Sequence, residues 1–332
     1  MKTMMQLLIK NSPLTFNEAH DFMTAIISDK MTPEQIGFFL ATYEFRTPTG
    51  PELAGFAQAL LDKSLSIGLG EEEMVDVCGT GGDGLGMFNV STCVAFVVAG
   101  AGVKVAKHGN RAVSSRCGSF DVLEALDFPI SHNEASAKDS INEQGVAFLF
   151  APSFHPVLGV LSTIRRSLGV RTILNALGPL LNPAGVKRQL IGVYAAKLLV
   201  PMAEALHLLG ATEAMVVHGM DGSDEISLTA PTLVAHLKNG VVSQYTITPS
   251  ELGIDACDIG ELVGGEVEEN ARILTQVLKG VKGPHREITL LNAAAALVVS
   301  GKAISLQEGM LLASESIDSG RALKRVKMMV AS

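Results

Sequence analysis

Cysteine is sparse in this sequence, and what there is shows no pattern. Cys78, Cys93, Cys117 and Cys257 form no CxxC pair and have no histidine at metal-ligand spacing, so neither a disulfide framework nor a zinc site is expected and the thiols read as reduced. Positive charge is also short. Lys and Arg number 26 against 34 Asp and Glu, a net charge of −8, which argues against a broad nucleic-acid surface because phosphate backbones are held by clustered cations. No long hydrophobic run occurs: "CVAFVVAGAGV" and "AAAALVVSG" fall short of the roughly 18 residues a membrane span needs. The opening "MKTMMQLLIKNSPLTF" lacks a small-residue cleavage site and suits an amphipathic helix better than a signal peptide, so a cytoplasmic protein with no membrane or nucleic-acid partner is expected. Internal repeats, heptads and low-complexity tails are missing too.

What is present is a chain of 332 residues, 47% hydrophobic and 18% charged, long enough for two lobes with sizeable cores. The first stretch reads as helices only. Three start signals, Thr15 to Glu18, Thr32 to Gln35 and Thr49 to Glu52, each place Thr three residues before Glu or Gln, with Pro33 and Pro51 near the first turn of the last two. Phe22, Ile26, Ile36, Phe39, Leu40, Leu53, Phe56 and Leu60 recur at helical spacing and predict the packed face. From about residue 72 the pattern becomes strand, glycine loop, helix: "MVDV" then "GTGGDG", "VKVAKHG" then "NRAVSS", "AMVVHG" then "MDGSDE". Such alternation predicts a parallel sheet flanked by helices, with ligands at the carboxyl ends of its strands. Residues 157–190 read as helix and loop again, a segment returning toward the first lobe, and a cleft between lobes is the expected ligand site.

The stretch "DVCGTGGDGLGMFNVST" at residues 76–92 is almost bare backbone. Glycines let N–H groups approach an anion and supply the positive φ angles of a phosphate-cradling nest, and Asn89, Ser91 and Thr92 stand where the next helix begins, offering its free N–H groups. No Lys follows, so this is no P-loop; Gly79, Gly81 and Gly84 match the dinucleotide spacing only loosely, and a ligand-free turn stays open. Asp83 repels phosphate and makes sense against hydroxyls or a metal. A second oxyanion motif, "KVAKHGNRAVSSRCGS", gathers Lys107, His108, Asn110, Arg111, Ser114, Ser115, Arg116 and Ser119 at another strand end, and two anion sites imply a two-phosphate ligand. Asp221, Asp224 and Glu225 are either a solvated turn or the ligands of a hard cation such as Mg²⁺. Arg165 and Arg166 read equally as surface cations and as a carboxylate fork.

Together and in this order, these motifs, with "RTPTGPELAGFAQAL", "GSFDVLEAL", "FAPSFHP", "LGVRTILNALGPLLNPA", "VHGMDGSDEIS" and "GRAL", resemble anthranilate phosphoribosyltransferase over nearly the whole chain. The resemblance implies an α/β fold like that of nucleoside phosphorylases and phosphoribosyltransferases: a small N-terminal all-helical lobe, residues 1–68, and a larger α/β lobe with a central, mostly parallel sheet, residues 69–332. It implies transfer of phosphoribose from 5-phosphoribosyl 1-pyrophosphate to the amine of anthranilate in tryptophan biosynthesis, with Mg²⁺, in a homodimer formed through the helical lobe. Carried over by position, the donor would meet Gly79, Gly82, Asp83, Asn89, Val90, Ser91, Thr92, Lys107, His108, Gly109, Asn110, Arg111, Ala112, Val113, Ser114, Ser115 and Ser119. Ser91, Asp224 and Glu225 would hold magnesium; Gly79, Asn110 and Arg165 would meet anthranilate. Displacing pyrophosphate builds positive charge on the sugar and negative charge on the leaving group, so catalysis is expected from neutralisation, with Lys107 contributing, and from positioning. No covalent nucleophile is needed. His108 reads as a wall residue, because the attacking amine is already neutral at pH 7.

Four departures from the family pattern are visible. Met87 stands for the usual Thr and removes a hydroxyl, Phe120 replaces a small residue and is expected to crowd the pocket beside Ser119, "VLG" follows "FHP" without Met-Lys, and Asp127 stands where Gly is usual. Three other readings remain at this point: a nucleoside phosphorylase, against which the "DE" pair argues; a non-catalytic relative; and a transferase acting on another aromatic amine.

Overall fold

The computed structural model describes residues 2–69, 73–112, 116–159, 161 and 171–327. Helices Lys2–Ile9, Phe16–Ile27, Pro33–Thr42 and Gly50–Leu61 build the first lobe. Each of the three Thr signals forms a reciprocal capping box, Thr15 with Glu18, Thr32 with Gln35 and Thr49 with Glu52, which satisfies N–H groups the helix itself leaves free. The apolar face closes on a stack of fully buried rings, Phe22 to Phe39 at 4.8 Å and Phe39 to Phe56 at 5.3 Å between centroids. Glu52 has a second role the capping signal does not reveal. It is itself fully buried, accepts from Leu14 N at 2.9 Å and Tyr43 Oη at 2.8 Å, and pairs with Arg46.

The second lobe is built on seven strands: β1 Met74–Gly79, β2 Lys104–Gly109, β3 Val146–Phe150, β4 Arg188–Gly192, β5 Glu213–Gly219, β6 Thr232–Lys238 and β7 Val241–Ile247. Their order is β3-β2-β1-β4-β5-β6-β7, parallel from β3 to β5 and antiparallel for the last two. The sheet is therefore mostly parallel, as the strand–loop–helix pattern predicts.

Side chains alternate across the sheet. Val75, Val77, Met215 and Val217 join helices Val90–Gly100 and Pro284–Val299 in one core, while Cys78, Ala214 and Val216 face a second core. That second core contains the first lobe's Phe22, Phe39 and Phe56, together with Leu161, Ile173, Leu174 and Leu177 and the helix Leu199–Leu208, which packs against Gly50–Leu61. Residues 160 and 162–170 lie outside the described residues.

Two of the departures acquire a physical setting here. Phe120 does not enter a pocket: it is fully buried against Phe150 at 5.2 Å, so the expected crowding is corrected to a core contact. Asp127 has φ +52° and follows the helix Ser119–Ala125, with Phe128 N donating to Leu123 O at 2.9 Å and Asp127 N to Glu124 O at 3.0 Å. This is the left-handed helix-ending turn in which glycine is the unstrained residue.

Candidate functional site

After β1 the chain passes to β2 and β3 on one side and later to β4 and β5 on the other. This divergence opens a crevice at the carboxyl ends of β1 and β4, the usual ligand position in open α/β sheets. The glycine loop starts there. Gly81, Gly82, Gly84 and Gly86 have φ of +64°, +72°, +82° and +66°, angles that side chains resist. Its opening is tied to the acidic loop after β5: Gly81 N donates to Asp224 Oδ2 at 2.7 Å. Two strand-end glycines make room for that contact. A Cβ on Gly79 would stand 2.4 Å from Asp224 Oδ2, and one on Gly192 only 1.6 Å from the Asp224 carbonyl oxygen.

The helix Val90–Gly100 begins beside the loop. Asn89 is its N-cap residue but makes no side-chain cap; its Nδ2 donates across to Cys117 O at 3.3 Å, so the helix N-terminus is left without a side-chain acceptor from Asn89. Lys107, 3% exposed, donates to Ser91 Oγ at 3.1 Å and to Val77 O, which places its ammonium beneath that N-terminus. Asn89 Oδ1 and Thr92 Oγ1 are buried polar atoms with no partner. Such atoms are rare in folded proteins, and two at one helix start beside the glycine loop fit a surface that is completed by a polar ligand.

The electrostatics are concentrated on the acidic pair. Burial, then repulsion from Asp83, pushes Asp224 up to about 6, against the pull of the Gly81 N–H and Lys107. Burial and the neighbouring Asp224 push Glu225 well above the carboxylate range, and Lys107 opposes this. A hard cation would relieve that repulsion. Among the described residues no cluster of three or more His, Cys, Asp or Glu has the geometry of a metal cage. Two crowded carboxylates and a serine oxygen nonetheless fit Mg²⁺, which commonly takes one or two carboxylates and completes its shell with phosphates and water.

His108 is neutral. Burial first, then His155 and Lys107, lower it to about 3, and its ring lies 5.2 Å from that of His155. The rim behaves differently. Arg111 is turned outward, ion-paired with Glu124 and stacked on Phe150 at 4.7 Å, so its guanidinium is not aimed into the crevice. Asp121 accepts from Ala112 N at 2.9 Å and Gly118 N at 2.8 Å, and Ser119 Oγ donates to Asn110 O at 3.2 Å, closing the second oxyanion loop. Asp83 caps its own turn by accepting from Leu85 N at 3.2 Å. Met87 pairs with Val263 through its backbone and packs its side chain on the main core. Val113, Ser114, Ser115, Arg165 and Arg166 lie outside the described residues. Toward the helical lobe, a cavity of about 240 Å³ is lined by Tyr43, Glu44 and Pro48 on one side and Arg171, Tyr194 and Lys197 on the other.

Sequence reasoning misses Gly192 and the polar groups behind the crevice. Asp76, fully buried on β1, accepts from Asn182 Nδ2 at 2.8 Å, and Asn292 binds the acidic loop from the helix Pro284–Val299. The available signal was a single Asn inside the apolar run "LLNAAAALVV".

Two family models match the chain: "Glycosyl transferase family, helical bundle domain" over residues 2–64 and "Glycosyl transferase family, a/b domain" over residues 71–323. The anthranilate phosphoribosyltransferase of Desulfatibacillum aliphaticivorans is 47% identical over 97% of this chain and 96% of its own. Among solved structures, anthranilate phosphoribosyltransferase from Thermus thermophilus superposes with a TM-score of 0.91 at 39% identity, covering 99% of this chain and 98% of that one. The Saccharomyces cerevisiae enzyme in complex with PRPP and Mg gives 0.88 at 30% identity, covering 98% and 95%.

Proposed function

Because the chain belongs to the anthranilate phosphoribosyltransferase family and transfers the phosphoribosyl group of 5-phosphoribosyl 1-pyrophosphate to the amine of anthranilate, releasing pyrophosphate in a step of tryptophan biosynthesis, we propose that the carboxyl ends of β1, β2 and β5 are where it does so. The observation that carries this assignment is the contact between the glycine loop and the acidic loop through Gly81 and Asp224, directly beside the start of the helix Val90–Gly100.

In this reading the backbone N–H groups of Gly81 and Gly82 and of the helix start at Val90, Ser91 and Thr92 receive the donor's phosphate oxygens, with the Thr92 hydroxyl and Asn89 completing the cradle. The loop from Gly109 to Ser119 receives the donor's other phosphate. Lys107, locked by Val77 O and Ser91 Oγ, acts through its field: it steadies the acidic pair and favours the charge gathering on the leaving pyrophosphate. Ser91, Asp224 and Glu225 would hold Mg²⁺, which when bound supplies further positive charge to the pyrophosphate oxygens. His108, neutral and buried, forms a wall and takes no proton. Asn110, Gly79 and Arg165 are assigned to anthranilate, whose amine attacks the sugar carbon and loses its proton afterwards. Closure of the helical lobe, residues 1–68, over residues 69–332 excludes water that would hydrolyse the donor.

The partner in solution is a second copy of the chain. Ile9 is 69% and Phe45 91% exposed on the helical lobe, and such side chains favour burial at an interface. The four free thiols suit a cytoplasmic setting.

The test follows anthranilate fluorescence with donor and Mg²⁺ in the wild type and in Asp224→Ala/Glu225→Ala. Magnesium-dependent loss that falls by about 100-fold or more in the variant is expected; an unchanged rate in the variant would sink the assignment of the acidic pair.

A further inference from the structure

Glu225 can hold a cation only if its backbone is held, and the loop that carries it is short and glycine-containing. Asp221 fastens the start of that loop, accepting from Ser223 N at 3.0 Å, Ser223 Oγ at 2.7 Å and Ser227 Oγ at 2.5 Å. The centre is fastened from elsewhere. Ile226 N donates to Asn292 Oδ1 at 2.9 Å, and Asn292 Nδ2 donates back to Ile226 O at 3.0 Å and to Ile288 O at 2.9 Å. Asn292 is 1% exposed, on a helix that buries mostly aliphatic side chains together with Arg286 and Thr289. A buried amide that meets both backbone groups of one residue fixes that peptide's orientation, and here the next side chain along is Glu225. Asn292 and Glu225 line the same small cleft as Ser91.

The geometry points to Asn292 as a positioning residue for the magnesium arm of the donor site, setting where the Glu225 carboxylate stands by clamping Ile226. The inference rests on the reading of Glu225 as a metal ligand. Residues that orient ligands without touching the metal commonly change its affinity roughly 10- to 100-fold when replaced.

The experiment measures donor binding by titration calorimetry as a function of Mg²⁺, with thermal unfolding alongside, for the wild type, Asn292→Leu, Thr289→Val and Glu225→Gln. Thr289 is a fully buried residue of the same helix whose hydroxyl donates to His285 O at 2.7 Å, reaches the Cys93 thiol and makes no bond to Ile226, so its variant disturbs the packing of the helix without touching the Ile226 clamp. Asn292→Leu is expected to raise the Mg²⁺ needed for half-maximal donor binding about tenfold, while Thr289→Val leaves it within twofold at a comparable melting temperature. If Asn292→Leu and Thr289→Val lose stability alike and neither changes the Mg²⁺ requirement, Asn292 is structural only and the inference is overturned. Glu225→Gln separates the two levels. If it too leaves the requirement unchanged, the metal reading has failed; if it raises the requirement and Asn292→Leu does not, the inference alone has failed. Should Asn292→Leu not fold, Asn292→Asp, which keeps the volume and the acceptor facing Ile226 N, is read by the same criteria.

Discussion

The backbone N–H of Gly81 points at Asp224 Oδ2 across 2.7 Å, joining two loops 143 residues apart in the chain. In the proposed reading the glycine loop would receive phosphate and Asp224 would belong to the magnesium pair, so loading the site would have to replace this internal bond. Whatever the ligand, anything that displaces the Asp224 loop reaches the glycine loop as well.

Gly192 tests this coupling without touching a charged group. Its Cβ would stand 1.6 Å from the Asp224 carbonyl oxygen, so Gly192→Ala forces the acidic loop away from the strand ends. kcat/KM is expected to fall about 100-fold while far-UV circular dichroism is preserved; activity within a few-fold of wild type would show that the loop position is not critical.

Thr92 separates binding from stability. Its hydroxyl is buried and unpartnered, and removing an unsatisfied polar group costs little in the free protein. Thr92→Val is expected to keep or raise the melting temperature yet weaken donor binding about fivefold or more, read by calorimetry at fixed Mg²⁺.

Glu52 is a stability determinant of the helical lobe that carries none of the assigned ligand contacts. Replacing it by Ala strands the nearly buried Arg46 and leaves Tyr43 and the Leu14 N–H without their acceptor. Breaking a buried pair in this way costs about 3–5 kcal/mol, to be measured by urea unfolding, with unchanged KM values in whatever fraction folds.

His108 predicts an acid limit. Its folded value, about 3, lies below the ordinary 6.5, so between those two pH values the unfolded chain carries a proton that the folded chain refuses. Stability therefore rises with pH through that window, by up to about 1.4 kcal/mol per pH unit from this group, and falls as pH drops through it. His155, lowered by its own burial, adds in the same sense, while Asp76, Asp224 and Glu225, raised first by burial, act in the opposite one, so the His108 share is read from the difference between wild type and variant. His108→Asn should flatten the urea midpoint against pH between about 4 and 6; an unaltered slope would assign the acid sensitivity elsewhere.

Asp127 offers a gain. In the left-handed conformation at φ +52°, a side chain costs about 1 kcal/mol relative to glycine. Asp127→Gly is expected to stabilise by several tenths to about 1 kcal/mol in thermal unfolding with no change in kcat, since the residue lies at a helix end outside the site.

Much of this was readable in one dimension because it depends on neighbours in the chain. The three capping boxes are contacts between residues three apart, so "TFNE", "TPEQ" and "TGPE" declare themselves. The strands of the parallel sheet follow from apolar runs bounded by glycine, and the positive φ angles from Gly81 to Gly86 from the only residue that adopts them freely. Phe120 shows where such reading fails: sequence gives its size and its neighbour Ser119, but not whether its ring turns toward the pocket or toward Phe150.

Sequence by itself determined the two kinds of lobe, the glycine loop and the inventory of charged groups, because local sterics and periodicity act along the chain. Only the tertiary structure decided which of those groups meet. Gly81 reaches Asp224, Lys107 lies under Ser91, and Asn292 clamps Ile226 because crossover connections bring distant strand ends into one crevice, and burial there decides which polar atoms must find one another.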